Sequence, residues 1–404
     1  MATIPDPDAG QFRIGMLLSD TRYRSYTFQL IALVLLIFGA SYLVNNLLQN
    51  LDDLGLNISW AFLQEPAGYD INQRPIEYDS QSTHARASIV GAINTLIVAF
   101  LACVTATIFG VIAGVLRLSN NWIVARIMSV YVEAFRNVPV LIWILIIFLA
   151  MSNAFPQPRA FRGDNATSSM WLDSFAFTNR GVYVPSFVNE AGSGIFWLIC
   201  VLSIVGVFAY RRYAKKLLYD TGRLLPMGWP SLVILIVPGL LAYFALGQPV
   251  GLERPELKGF NFTGGIHLRL SLIALWFALA IYTGAFIAEN VRAGIQAISK
   301  GQTEAAGALG LRPGRIMNLV ILPQALRVII PPLISQYLNI TKNSSLAIAV
   351  GYMDITGTLG GITLNQTGRA IECILLLMLF YLIVSLSISA IMNVYNNSVK
   401  LKER

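Results

Sequence analysis

Residues 268–289 read LRLSLIALWFALAIYTGAFIAE, an apolar run interrupted only near its ends. A helix needs about 20 apolar residues to cross the hydrocarbon core of a bilayer, so this run predicts a membrane-spanning helix. The same criterion finds seven further runs, and the chain is predicted to be an all-α polytopic membrane protein. The eight predicted spans are residues 27–48, 88–116, 123–151, 194–211, 229–247, 268–289, 324–341 and 371–395.

The composition supports lipid as the solvent of much of the chain. Hydrophobic residues make up 55% of the 404 residues and charged residues only 12%, where soluble domains carry about 25% charged residues. The net charge of +8 lies in the loops and does not require a nucleic-acid partner. The three cysteines lie inside apolar runs and the two histidines are far apart, so we expect neither a disulfide framework nor a metal site.

Lys and Arg are concentrated in the loops on one side of these spans, which predicts the orientation of the chain. The densest group follows the fourth span and comprises Arg211, Arg212, Lys215, Lys216 and Arg223. This bias places the N-terminus in the cytoplasm, and an even number of spans returns the C-terminus to the same side. We therefore expect both termini to be cytoplasmic.

Two features of individual spans carry structural expectations. The seventh span contains Pro331 and Pro332, so we expect it to be broken or short. In the second span Ala106, Gly110 and Gly114 recur every four residues and predict close helix packing, either within the chain or with a second subunit. Asp354 and Arg369 flank the Gly-rich stretch 357–361, which we interpret as a surface loop, with a re-entrant or outer gate loop as the alternative.

The segment 295–323, between the sixth and seventh spans, is rich in small residues and is predicted to form two short helices joined by a tight turn. Ser299 can cap the first helix with Gln302 as its capping-box partner. Gly310 suits the left-handed position that ends it. Pro313 can occupy the first turn of the second helix, and Pro323 is expected to stop that helix.

The first of these helices is expected to lie at the cytoplasmic surface and to present Ala305, Ala306 and Leu309 as a small, smooth patch. Small side chains permit close docking of a soluble partner. An amphipathic interfacial helix with no protein partner is the other interpretation, and the composition alone does not decide between them.

The order Glu304-Ala305-Ala306, Gly310, nine residues, then Val320-Ile321-Leu322-Pro323 resembles the EAA loop of bacterial ABC importer permeases. In that family the loop forms a coupling helix that sits in a groove of a cytoplasmic ATPase. The resemblance implies that Glu304, Ala305, Ala306 and Gly310, with Leu309 and Pro323, form the ATPase-coupling site. It also implies that ATP and Mg are bound by a separate ATPase dimer, with no cofactor on this chain.

Further stretches resemble the polar amino-acid branch of the same family. They are residues 91–96 (GAINTL), 133–141 (EAFRNVPVL) and 332–346, which ends in KNSSL. This resemblance implies a five-helix type I permease core in residues 85–151 and 266–400. Residues 1–84 are then a leading helix and outer loop, and residues 152–265 an insertion with two more helices. The layout resembles the longer permease of general L-amino-acid importers.

The resemblance implies three kinds of partner besides membrane lipid. They are the ATPase dimer, a second homologous permease subunit and a periplasmic amino-acid-binding protein. The implied location is the bacterial inner membrane, with no nucleic acid involved. The implied function is that of a non-catalytic permease subunit for L-amino acids.

Polar residues in or beside the spans are candidates for the solute path. Glu133 and Arg136 share a helix face and can pair, either as a path element or as a structural ion pair. The resemblance adds Asn94 and Thr95 to the path. Residues 342–345 follow the proline-containing span, where unwound backbone can line a cavity; a polar span end is the alternative. These four residues are Lys342, Asn343, Ser344 and Ser345.

Other classes of membrane protein were weighed against the permease. No Gly-x4-Gly-Lys-Ser/Thr phosphate loop is present in the sequence, so ATP hydrolysis requires another subunit. An ion-coupled secondary transporter of small polar solutes predicts an inverted repeat and midspan acidic residues. A membrane enzyme needs a converging nucleophile and base or a metal set. The 295–323 segment favours the permease.

Overall fold

The computed structural model describes residues 15–53, 55, 58–163 and 166–399, and they are mostly helical. The helices are α1 Met16–Ser19, α2 Thr21–Asp53, α3 His84–Leu116, α4 Trp122–Asn137, α5 Val140–Ala154, α6 Ser193–Thr221, α7 Gly228–Ala245, α8 Leu270–Gln296, α9 Lys300–Ala308, α10 Pro313–Ile316, α11 Leu322–Asn343, α12 Ile355–Gly357, α13 Leu364–Thr367 and α14 Ala370–Val399.

Short 3₁₀ and π segments connect several of these helices. The 3₁₀ segments are Ala61–Gln64, Pro158–Phe161 and Ser344–Val350, and the π segments are Met317–Ile321 and Thr358–Thr363. The chain divides into two compact units, residues 1–61 and 62–404. The described part of the first unit consists chiefly of α2, whose apolar residues are exposed along the helix.

In the part of the chain that the structure describes, seven short antiparallel strands add to the predicted all-helical architecture. They are β1 Ala176–Thr178, β2 Gly181–Val184, β3 Ser186–Asn189, β4 Val250–Glu253, β5 Glu256–Lys258, β6 Asn261–Thr263 and β7 Ile266–Arg269. They form a three-stranded sheet in the order β1-β2-β7 and two pairs, β3-β4 and β5-β6. All seven lie in the loops that flank the α6–α7 hairpin.

The described residues contain eight helical segments that are long and apolar enough to cross a membrane, as predicted. The third has different bounds from the predicted 123–151. Val138 adopts an extended backbone before Pro139, with φ −114° and ψ 134°, and this separates α4 from α5. A proline disfavours the helical conformation in the residue before it. Only the segment that begins at Val140 qualifies as a span.

The seventh span is longer than expected and is not broken at its prolines. Helical structure continues over Pro313–Val350, and Pro331 and Pro332 lie inside α11. Proline in a spanning helix is tolerated where neighbouring helices support the segment, and α11 packs against α3, α8 and α14. The predicted interruption was wrong, because the neighbouring helices support α11 at its prolines.

The centre of the second unit is α8, which packs against α3, α4, α5 and α11. The predicted small-residue face of α3 makes this contact within the chain. A Cβ at Gly114 would lie 2.6 Å from the Ala288 carbonyl oxygen, and one at Gly110 would lie 2.9 Å from that of Gly284. The two backbones can therefore approach closely only because these positions carry no side chain.

Candidate functional site

The turn after α9 has the predicted left-handed glycine. Gly310 has φ +76°, its N–H donates to the Gly307 carbonyl at 2.9 Å, and the Leu311 N–H donates to the Ala306 carbonyl at 3.3 Å. These bonds close the C-terminus of α9 and direct the chain into α10. Pro313 occupies the first turn of α10, also as predicted.

The start of α9 differs from the predicted capping box. Ser299 is at the N-cap position with an extended backbone, but its side chain makes no capping hydrogen bond. Its carbonyl oxygen instead accepts from the Gln302 N–H at 3.1 Å. The Gln302 side chain faces the Gln324 amide at 3.4 Å, so α9 is joined to the beginning of α11.

The residues predicted to contact an ATPase divide between two faces of α9. Glu304 and Ala305 are exposed, and Leu309 is 82% exposed. Ala306 is buried, with 5% exposure, and faces the body of the chain. The predicted patch therefore lacks Ala306, because the helix needs one small residue on the face that packs against α10 and the following π segment.

Pro323 does not stop the second helix. It lies in the first turn of α11, directly after the π segment Met317–Ile321, in which the Leu322 N–H bonds to the Met317 carbonyl. A π turn is a helix irregularity that accommodates the ring and the missing N–H of proline. The exposed helix α9 is thus joined to the seventh span by the Gly310 turn, the short helix α10 and the π segment.

Residues 342–345 are not unwound. Lys342 and Asn343 end α11, and Ser344 and Ser345 begin a 3₁₀ segment. The Ser344 hydroxyl donates to the Thr341 carbonyl and the Ser345 hydroxyl to the Lys342 carbonyl, each at 2.7 Å. Both hydroxyls therefore bond to their own helix in this conformation, while the Lys342 side chain is exposed.

Glu133 and Arg136 lie on α4, outside the spans, and each has a partner elsewhere. Within the described residues, Glu133 pairs with Arg117 at 3.5 Å and Arg136 with Glu289 at 3.9 Å, and no ion pair joins Glu133 to Arg136. The Arg136 guanidinium also lies 5.5 Å from the centroid of the Phe286 ring. The predicted local pair is replaced by longer-range ones.

Glu289 of α8 is the centre of this charge cluster. It forms ion pairs with Arg117 of α3, Arg136 of α4 and Arg292 of α8. Glu289 was not among the predicted site residues, because its partner Arg117 is 172 residues away along the chain. The only local signal is Arg292, three residues after Glu289, a spacing that brings two side chains together on a helix.

Asn94 and Thr95, in the first half of α3, are fully buried. The Asn94 amide donates to the carbonyls of Gln73 and Met353, both at 2.9 Å. The Thr95 hydroxyl donates to the Gly91 carbonyl and accepts from the Ile355 N–H at 3.1 Å. These two side chains attach the loop between α11 and α12 to α3.

Asp354 lies at the start of α12 and has no exposed surface. Its Oδ1 accepts from the Gly357 N–H at 2.8 Å and caps α12. Burial raises the pKa of the Asp354 carboxyl to about 6, and hydrogen bonds to Gly357 and Thr356 oppose that shift. The predicted surface loop is therefore a buried segment. The signal in the sequence is an Asp three residues before Gly357, the spacing of a helix N-cap.

The described residues offer no group of three His, Cys, Asp or Glu side chains arranged to hold a metal ion. The candidate site consists instead of two separate parts, an exposed helix and a buried junction between helices. At one end α9 projects from the seventh span, and at the other Asn94, Thr95 and Asp354 join α3 to the segment after α11.

Comparison with known proteins identifies the family. Residues 216–400 match the family described as "Binding-protein-dependent transport system inner membrane component". The whole chain aligns with the whole of the glutamate/glutamine/aspartate/asparagine transport system permease protein BztB of Rhodobacter capsulatus, at 52% identity. The putative amino-acid ABC transporter permease protein YhdX of Escherichia coli is 44% identical over 94% of this chain and 95% of its own length.

The general L-amino acid transport system permease protein AapQ of Rhizobium johnstonii is 41% identical over 95% of this chain and 94% of its own length. These relatives and the eight apolar helices make the protein a multi-pass inner-membrane transport subunit, of a family whose ATPase is a separate subunit. The chain belongs to the family of amino-acid ABC transporter permeases.

Proposed function

We propose that this chain forms the translocation path for L-amino acids in an ATP-driven importer and that α9 couples it to a cytoplasmic ATPase dimer. The observation that carries the proposal is the exposed α9 surface of Glu304, Ala305 and Leu309, ended by the left-handed Gly310. Leu309 is 82% exposed and lies four residues after the small side chain of Ala305, so this face of α9 would allow close approach of a partner.

The connection from α9 to the seventh span supplies the mechanical part of the proposal. Ala306 packs α9 onto its own chain, and the Gln302 and Gln324 side chains bridge it to the start of α11. A displacement of α9 by an ATPase would therefore act on α11, which packs against α8 and α14. ATP and Mg would be held by the ATPase, whose closure would drive alternating access in this chain.

The substrate class and the remaining partners rest on the relatives. The R. capsulatus relative is named for glutamate, glutamine, aspartate and asparagine, and the R. johnstonii relative for general L-amino acids. We therefore assign amino acids as the solute. We also propose a second homologous permease subunit and a periplasmic amino-acid-binding protein as partners, and cytoplasmic termini.

Residues 85–151 and 266–400 would form the five-helix type I core, which includes the coupling loop 295–323. Residues 1–84 and 152–265 would be additions to that core. Lys342, Asn343, Ser344, Ser345, Arg136, Glu133, Asn94 and Thr95 remain the proposed path residues. In this proposal, the path residues whose polar groups bond to protein atoms in this structure become available to solute in another state of the transport cycle.

The test is a pull-down of this chain from its native membrane in mild detergent, with mass spectrometry of the proteins recovered. We expect an ATPase and a second permease to be recovered with the wild-type chain, and the ATPase to be lost from Leu309→Glu. Leu252→Glu, at an exposed leucine of β4, is the matched control and should retain it. Recovery without any nucleotide-binding protein, or uptake that persists without ATP, would instead favour an ion-coupled secondary transporter.

A further inference from the structure

Helices α6 and α7 form a hairpin, and the C-terminal end of α6 extends beyond the first turn of α7. The Tyr210 hydroxyl donates to the Pro226 carbonyl at 2.8 Å, and Arg211 Nε lies 3.4 Å from the Ser231 hydroxyl. The first turn of α7 is therefore level with residues 210–211 of α6. Residues 212–221 extend α6 by roughly 15 Å beyond that level, at the rise of an α-helix.

The extension carries its cations on one side. Successive residues of an α-helix are rotated by about 100°, so Arg212, Lys215 and Lys216 lie on neighbouring positions of the helix surface, with Tyr219 between them. All four are exposed. Ala214, on the other side, is buried.

A fourth cation lies in the return to α7. Gly222 ends α6 in the left-handed conformation, and Arg223 follows it and is exposed. We call residues 212–223 the basic extension. Within the described part of the chain, none of its four cations forms an ion pair with a carboxylate. Asp220, exposed and four residues after Lys216, is the carboxylate of this segment, so its four cations leave a net charge of 4 − 1 = +3 on the extension.

The position of the basic extension relative to the membrane follows from its neighbours. The run of α6 before Tyr210 is apolar and largely exposed, as a lipid-facing helix is. Trp229, in the first turn of α7, is 66% exposed, and tryptophan is enriched at the boundary between hydrocarbon and headgroups. The headgroup layer adds roughly 5–8 Å beyond the hydrocarbon on each side of the bilayer. Arg212, Lys215 and Lys216 are within that distance of the Trp229 level.

We propose that the basic extension is a binding site for the headgroups of anionic phospholipids. Four cations without carboxylate partners would meet the phosphates of the leaflet that surrounds α6. Tyr219 and Leu224 are 85% and 80% exposed, and Tyr219 lies among the cations on the helix surface. Each surface cation near an anionic leaflet strengthens binding by roughly fivefold. Lipid would thereby hold the hairpin on its lipid-facing side.

The experiment uses the complete transporter in mild detergent, with dioleoyl phosphatidylglycerol and dioleoyl phosphatidylcholine added at equal concentration. Bound lipids are counted by native mass spectrometry. We expect the wild-type complex to bind phosphatidylglycerol in at least tenfold preference, allowing for detergent and salt. The test variant replaces four residues with glutamine: Arg212, Lys215, Lys216 and Arg223.

Two control variants accompany it. The first replaces four exposed cations of the loops between spans with glutamine, so that the change of net charge is the same: Arg159, Arg162, Arg254 and Lys258. The second exchanges Lys and Arg at the four positions of the basic extension and so keeps their charge. We expect the preference for phosphatidylglycerol to fall at least fivefold in the glutamine variant of the extension and to persist in both controls.

Three results would overturn the proposal. The first is a preference for phosphatidylglycerol that persists in the glutamine variant of the extension. The second is loss of the preference in 10 mM glycerol phosphate to the same extent as in that variant, which would indicate a site for soluble anions. The third is loss of the ATPase from that variant with the lipid preference retained, which would assign the surface to a protein partner. Recovery of the glutamine variant as an intact complex in the same mass spectra distinguishes lost lipid binding from a failure to fold.

Discussion

The side-chain amide of Asn94 donates two hydrogen bonds of 2.9 Å, to the carbonyl of Gln73 before α3 and to the carbonyl of Met353 after α11. Met353 is 259 residues from Asn94 along the chain. One buried side chain thus joins the loop that precedes α3 and the segment that follows the seventh span. This contact explains how α3 holds the segment that contains Asp354 against the bundle.

Replacement of Asn94 by alanine should destabilise the protein by roughly 1–2 kcal/mol, because two partly buried carbonyl oxygens lose their donor. We expect a lower melting temperature in detergent for Asn94→Ala than for the control Asn153→Ala. Asn153 is exposed, and its amide bonds only to a carbonyl of its own helix. Equal melting temperatures for the two variants would show that the Asn94 bonds do not hold the segment.

Gly91→Ala should also be destabilising, by about 1–3 kcal/mol, the usual cost of overpacking. A Cβ at Gly91 would lie 2.9 Å from the Asp354 carbonyl oxygen and would also meet the Thr358 side chain. The control is Gly39→Ala, at a helical glycine with open space around its Cβ position. The melting temperature should fall for the first variant and stay the same or rise for the second.

Glu289→Gln should weaken the joint between α3, α4 and α8. Glu289 forms ion pairs with three arginines, and its side chain is 22% exposed. Removal of the carboxylate charge leaves Arg136 and Arg292 without their carboxylate partner and Arg117 with Glu133 alone, and we expect a loss of about 2–3 kcal/mol, less than for a fully buried pair. Glu133→Gln is the control, since Glu133 has one partner and a side chain that is 62% exposed. A larger effect at Glu133 would contradict the central position of Glu289.

The buried carboxyl of Asp354 predicts a pH dependence of stability. Its pKa is raised by burial from 3.8 to about 6, so the folded protein favours the protonated form. The stabilisation is therefore complete below the unfolded pKa and is lost as the pH rises through about 6. The melting temperature of the wild type should fall between pH 4 and pH 6.5 relative to that of Asp354→Asn, which keeps the cap on Gly357. Parallel pH profiles for the two proteins would exclude this contribution.

Gly310→Asp tests the coupling helix. An aspartate is strained at φ +76° and places a charge at the end of the exposed face, so we expect ATP-dependent uptake in proteoliposomes to be lost. Gly314→Asp adds the same charge four residues later, at an exposed glycine with a helical backbone, and should retain most of the uptake. Normal uptake with Gly310→Asp would count against the proposed role of α9.

Features within single segments of the sequence determined the number of spans and the turn between α9 and α10. Apolar length predicts the eight spans because a membrane helix satisfies its backbone hydrogen bonds within one segment. Gly310 and Pro313 act through their own φ angles, so the sequence alone predicts the turn between α9 and α10. The break between α4 and α5 also has a local cause. Val138 precedes Pro139, and this order by itself predicts the end of a helix.

Tertiary structure decided what depends on partners far apart in the chain. Glu133 and Arg136 satisfy the spacing of a local pair, yet Arg117 and Glu289 bind them instead because α3, α4 and α8 meet in space. Pro331 and Pro332 remain helical because α11 is supported by its neighbours. Asp354 lies in a polar and glycine-rich stretch, and the packing of α12 against α3 and the neighbouring 3₁₀ and π segments accompanies its burial. Burial and pairing are properties of the assembled bundle, whereas helix length and turn chemistry belong to each segment alone.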